Sequence, residues 1–132
     1  MADGKGSIAP RGPVRILHAM RWSLNGLRQC WRFESSFRLE VYLVVLLAPL
    51  GVWLGASGIE RALLVGSLLL VLGFEVMNSA LEAVVDRWGP EWNELAGRAK
   101  DMGSAAVFIV MVNVLLVWGM ILVPRWFPAG LS

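Results

Sequence analysis

Three stretches of the chain carry almost no charge, and their lengths set the first expectation. Val41–Ile59 is uncharged throughout, although Pro49 and Gly51 should kink or loosen a helix there. Ala62–Leu81 is apolar with a single charge, Glu75, and Met102–Pro124 is uncharged and rich in Val, Leu, Ile and Met. A helix needs roughly 20 residues to cross the hydrocarbon core, so all three stretches qualify as spans. Each must be helical, because unpaired backbone groups are too costly in lipid. The expected spans cover about 40–59, 62–86 and 102–124.

Ahead of them, residues 14–33 show a different period. Leu17, Met20, Leu24, Leu27 and Trp31 recur at spacings of three and four, which makes one apolar helical stripe. Arg21, Arg28 and Arg32 flank it, where their heads can reach lipid phosphates while their stems stay in apolar surroundings. Such a helix lies along the membrane interface. Residues 1–13, rich in Gly, Pro, Lys and Arg, read as a disordered lead-in without a secretory signal, and residues 125–132 as a short tail. The fold class expected is therefore all-α and membrane-embedded: one domain over 14–124, with an N-terminal interfacial amphipathic helix and three transmembrane helices.

Composition agrees. A chain of 132 residues that is 57% hydrophobic and 17% charged could not hide its apolar surface as a soluble domain. The seven tryptophans fall mostly near the expected span boundaries, as an aromatic belt requires. A net charge of +2 is too small to suggest a nucleic-acid partner, and the single cysteine, Cys30, excludes a disulfide within the chain. His18 has no metal-binding neighbours in sequence and reads as a surface residue.

The connections give orientation. Gly58-Ile59-Glu60-Arg61 reads as a tight turn that makes the first two spans an antiparallel hairpin. Residues 83–101 read as a longer, mixed-charge loop in which Gly89-Pro90 breaks the preceding helix. Seven Lys or Arg precede the first span and three lie in that loop, against only Arg61 and Arg125 on the other side. The positive-inside rule then places the N-terminus and the 83–101 loop in the cytoplasm and the C-terminus outside.

One acid stands where acids are expensive. Glu75 lies within a span, where a carboxylate costs about 2.5 kcal/mol or more to insert. Glu75, Asn78, Ser79, Glu82 and Asp86 share one helix face. Glu75 and Glu82 lie roughly 10 Å apart along the axis. Such a stripe can be glue between helices, the lining of an ion path, or a catalytic site. Acids beside a surface loop suit Mg²⁺, which takes one or two carboxylates together with phosphate oxygens. A carboxylate shielded from water can also act as a general base. Glu34 and Glu40 lie near the cytoplasmic boundary; Glu34 and Arg38 could form a simple i,i+4 ion pair, and Lys100 and Asp101 could be mere flanking charges. Neither G-x-x-x-x-G-K-[ST] nor G-x-G-x-x-G occurs, so phosphate is not cradled as in soluble kinases.

The run Glu75-Val76-Met77-Asn78-Ser79-Ala80-Leu81-Glu82-Ala83-Val84-Val85-Asp86-Arg87, with Arg98-Ala99-Lys100-Asp101-Met102-Gly103-Ser104-Ala105-Ala106-Val107 downstream, resembles the signature of prokaryotic diacylglycerol kinases. Gly26-Leu27-Arg28, Trp31, Glu34, Phe37-Arg38 and Glu40 fall where that family has its interfacial helix and elbow, and the likeness covers about residues 14–123. The resemblance implies ATP-dependent phosphorylation of diacylglycerol at the cytoplasmic face of a bacterial inner membrane, with Mg²⁺. It also implies a homotrimer with active sites shared between subunits.

By the same resemblance Glu75 is the general base, Asn78 its catalytic partner, and Glu34 and Glu82 the metal ligands against the ATP phosphates. Lys100 and Asp101 match nucleotide positions, Glu91, Trp92 and Asn93 the loop near the nucleotide, and Arg15 and Trp22 N-terminal positions near nucleotide and lipid. Arg28, Trp31, Arg38, Glu40, Arg61 and Ser104 match lipid-facing positions beside Arg15 and Glu75. Trp22 and Asn93 stand where better-known members have Tyr and His. Undecaprenol kinase is the nearest rival in chemistry, and a small channel or transporter the rival from another class.

Overall fold

The computed structural model describes residues 12–127 apart from 88, 90 and 92. Four helices follow one another: α1 Pro13–Phe33, α2 Ser35–Leu54, α3 Gly58–Asp86 and α4 Glu94–Trp126. The expected disorder of the first residues and the character of the tail fall mainly outside the described residues.

Each helix end has a local cause. Pro13 opens α1, where its missing N–H would have had no partner anyway. Glu34 alone separates α1 from α2; its backbone is extended, and its N–H donates to Cys30 O at 2.8 Å. Arg38 Nη1 reaches back to Trp31 O at 2.9 Å and Arg32 O at 3.4 Å, so its guanidinium satisfies the carbonyls that end α1. The possible Glu34–Arg38 ion pair does not form, because those carbonyls take the guanidinium instead.

Two boundaries differ from the sequence reading. The α2–α3 turn is Gly55–Ser57, and Gly58–Arg61 is the first turn of α3. Ser57 Oγ accepts from Glu60 N at 3.2 Å and Glu60 Oε2 accepts from Ala56 N at 2.8 Å, close to a capping box. The charged residues that suggested a loop are therefore its helix-starting signal. Likewise, much of the expected 83–101 loop is helical. Asn93 Oδ1 accepts from Leu95 N at 2.9 Å and Ala96 N at 3.1 Å, which starts α4 at Glu94 and leaves only residues 87–93 as the connection. Pro49 lies inside α2, which is continuous from Ser35 to Leu54.

α2, α3 and α4 are each long and apolar enough to cross a membrane. α3 lies between the other two, and the buried apolar residues are spread along the contact: Leu64, fully buried, then Leu68 and Val71 on α3 and Val107 and Val110 on α4. Gly51 lets α2 come close here: a Cβ on it would stand 3.2 Å from Leu64 Cβ and 3.4 Å from the Trp118 ring. Leu64 O accepts from both Ser67 Oγ at 2.8 Å and Trp118 Nε1 at 3.2 Å, so polar groups inside the apolar core are paired. Around the α2–α3 turn, Arg125 joins Glu60 at 2.8 Å and donates to Leu54 O, while Arg61 Nε donates to Gly55 O at 2.9 Å. On α1 the apolar stripe of Leu17, Met20, Leu24, Leu27 and Trp31 stays exposed, free to enter a membrane interface.

Candidate active site

The polar stripe of α3 is real, and the fold splits it between two neighbours. Glu75 and Ser79 are buried, at 5% and 7% exposure, on the flank met by α1 and α2. There the Cys30 thiol stands near Ser79, Glu34 and Glu75. Burial pushes that thiol above its usual range; the Glu34 charge adds to this, the neighbouring Ser79 hydroxyl opposes it, and Glu75 adds a little more. Cys30 is therefore a neutral packing group and not a nucleophile. Glu40 of α2 approaches Glu75 closely enough for their charges to interact, and its Oε2 is buried without a hydrogen-bond partner.

The other flank faces α4. Asn78 Nδ2 donates to Glu82 Oε1 at 3.2 Å, whereas Asn78 Oδ1 is buried and unpaired. It points at Gly103 of α4, where a Cβ would collide with it. One turn beyond Glu82, Asp86 pairs with Lys100 at 2.7 Å. Both line a cleft of about 550 Å³ between the end of α3 and the start of α4, together with Gly89, Glu91, Asn93 and Gly97. From Glu75 to Asp86 the helix rises roughly 16 Å, so one face runs from an apolar interior to an open cleft that carries the Asp86–Lys100 pair.

The remaining expected residues are distributed unevenly. Arg28 and Trp31 line an apolar groove of about 430 Å³ beneath α1, with Leu24, Phe37, Val41 and Leu72. The Trp31 ring meets Tyr42 edge-on at 5.7 Å. Arg15 and Trp22 are exposed on α1, Trp22 beside His18, and neither lines the cleft. Asp101 and Ser104 are exposed on α4. Arg61 stands at the opposite end of α3, roughly 37 Å from Asp86 along the axis. Trp92 lies outside the described residues. Among the described residues, no group of three or more His, Cys, Asp or Glu could by itself hold a metal ion.

The sequence reading passed over Cys30 and Gly103. Only residue size signalled either one. A small residue at the end of an amphipathic helix and a glycine at the head of a span both permit close approach, but spacing does not say to what.

A bundle of three membrane-length helices beside an amphipathic one, with acids along one helix leading from its interior to a cleft at its end, defines a polytopic membrane protein. The model of the family described as prokaryotic diacylglycerol kinase matches residues 21–122, and the chain belongs to that family. It is 47% identical to a protein named diacylglycerol kinase from Haemophilus influenzae over 111 residues, covering 84% of this chain and 94% of the relative. The proteins of that name from Pseudomonas aeruginosa and Helicobacter pylori J99 are 44% and 34% identical; the alignments cover 84% and 96% of this chain, and 90% and 99% of those relatives.

Proposed function

We propose that this protein transfers the γ-phosphate of ATP to the free hydroxyl of diacylglycerol, forming phosphatidic acid and ADP at the cytoplasmic membrane face. The observation that carries this reading is the buried Glu75, placed on one helix face with Asn78 and Glu82 that ends in the Asp86–Lys100 cleft. A lipid alcohol stays in the leaflet and ATP arrives from water, so their reaction needs a site that joins an apolar interior to a solvated cleft. Glu75 removes the hydroxyl proton as that oxygen attacks the γ-phosphorus in line; the bond to the β–γ bridging oxygen breaks and ADP leaves. Lys100, Glu91 and Asn93 border the space for the nucleotide. The Arg28–Trp31 groove is shaped for the lipid, with an apolar floor and a cation at its rim.

Mg²⁺ fits the donors present. Hard oxygen ligands suit it, and the Glu82 carboxylate is half-buried, with one oxygen oriented by Asn78. Mg²⁺ in kinase sites takes few protein ligands and completes its shell with phosphate and water, so a three-residue protein cage is not required. Glu82 and Glu34 would hold it, and it would neutralise charge developing on the phosphates.

The excess of Lys and Arg before α2 and after α3 supports a cytoplasmic N-terminus and an outside C-terminus in a bacterial inner membrane. Self-association has its own support. Leu63, Gly66, Leu70, Gly73, Met77 and Ala80 recur at alternating spacings of three and four on the α3 face opposite Glu75, and Leu63, Leu70 and Met77 are at least half exposed. That seam suits three copies packed helix to helix. Gly73 has open space around it within one chain, so Gly73→Leu should leave the protomer folded and shift the detergent-solubilised protein from trimer to monomer in light scattering.

Phosphorylation of diacylglycerol by purified protein in mixed micelles, with undecaprenol alongside, tests the reaction. Preferred turnover of undecaprenol would overturn the lipid assignment. Ion flux in liposomes without ATP consumption would overturn the kinase. Glu82→Gln should lower the rate in a way that added Mg²⁺ partly restores, whereas an unchanged dependence on Mg²⁺ would remove Glu82 from the metal site.

A further inference from the structure

α1 is fastened to the bundle at one buried point. Cys30, at 8% exposure, is the only buried residue of this helix, and the face that carries the apolar stripe is open. Its thiol meets Ser79, itself buried one turn beyond Glu75 on the same helix. Its carbonyl accepts the N–H of Glu34 at 2.8 Å. The joint that follows is stiff, because Phe37 is 4% exposed and Arg38 spans back to Trp31 O and Arg32 O.

We infer that Cys30 is a positioning residue: its small side chain, seated on the buried surface of α3, sets how closely α1 approaches and thereby where Glu34 stands relative to Glu75. A side chain no larger than this is required, because the seat lies between two helices already in contact and any displacement passes directly to Glu34 through the Cys30 carbonyl. The thiol needs neither charge nor reactivity for this. Alanine or serine fills the position nearly as well, whereas leucine lifts α1.

The kinetic consequence rests on the phosphotransfer reading given above. Cys30→Leu should raise the KM for Mg·ATP about tenfold, since displacements near 1 Å in a positioned site can cost up to about 100-fold. The KM for diacylglycerol should rise as well, though less, because Arg28 and Trp31 of the lipid groove ride on the same helix while acyl chains adapt to a shifted wall, and Cys30→Ala should keep parent kinetics throughout. Equal loss with both substrates in parallel with lowered melting would make Cys30 a structural residue only and overturn the inference.

A second experiment is independent of activity. In Ser79→Cys the chain holds just two cysteines, and mild oxidation of membranes with copper phenanthroline should join Cys30 to the new thiol within one chain. A chain that migrates as a protomer on a non-reducing gel and has no thiol open to maleimide after denaturation supports the seat. Free thiols or cross-linked dimers overturn it. If the parent protein proves to have no kinase activity, the proposed function fails while the cross-link still decides where α1 sits.

Discussion

Glu75→Gln should fold, insert and assemble as the parent does, yet lose phosphate transfer by about 10²- to 10⁴-fold, the usual contribution of a positioned general base. The side chain is 5% exposed in the middle of a helix that crosses the membrane. Glutamine keeps its shape and removes only the ability to accept a proton, so packing against Cys30 and Ser79 is preserved. It also removes a carboxylate from an apolar environment, so melting should occur at the parent temperature or above it. Initial rates with diacylglycerol and a melting curve on the same preparation give both readouts. Normal turnover would reject the base assignment, and a collapsed fold would make Glu75 a structural group.

Gly103→Ala should act through a neighbour it does not resemble. The added methyl group would collide with Asn78 Oδ1 and stand 3.1 Å from Leu81 Cδ2. Moving one amide side chain is easier than parting two packed helices, so Asn78 should swing away and release Glu82 Oε1 from its 3.2 Å bond. Activity should fall by about 10²-fold, because a catalytic group displaced by about 1 Å loses that much. A double-mutant cycle isolates the cause: in an Asn78→Ala background the oxygen is gone, and Gly103→Ala should then cost almost nothing further. Additive losses would show that the glycine serves helix packing generally and not the placement of Asn78.

How far the sequence revealed the molecule depended on which forces were local. The three spans were legible because lipid excludes charge, so uncharged stretches of membrane length stand out. The polar stripe was legible because helical spacing alone puts Glu75, Asn78, Glu82 and Asp86 on one face. The ends were less so. Glu60 and Arg61 look like loop residues by charge, yet Glu60 caps α3 and Arg61 folds back onto Gly55. The pairing of Lys100 with Asp86 joins two helices, so no spacing along the chain announced it. The junction of Cys30 with Ser79 was invisible, because a thiol carries no pattern of its own and the contact exists only once α1 folds onto α3. The roles of individual acids came from a long motif and not from spacing.

The tie between Arg125, Glu60 and the Leu54 carbonyl fastens all three spans at one end, where α2 turns into α3 and α4 finishes. The cleft opens at the other end of the same rods, beyond Asp86. The bundle is thus built like tongs with a fixed rivet. Relative movement of the three rods is therefore expected to be smallest at that end and largest at the tips, where the cleft lies.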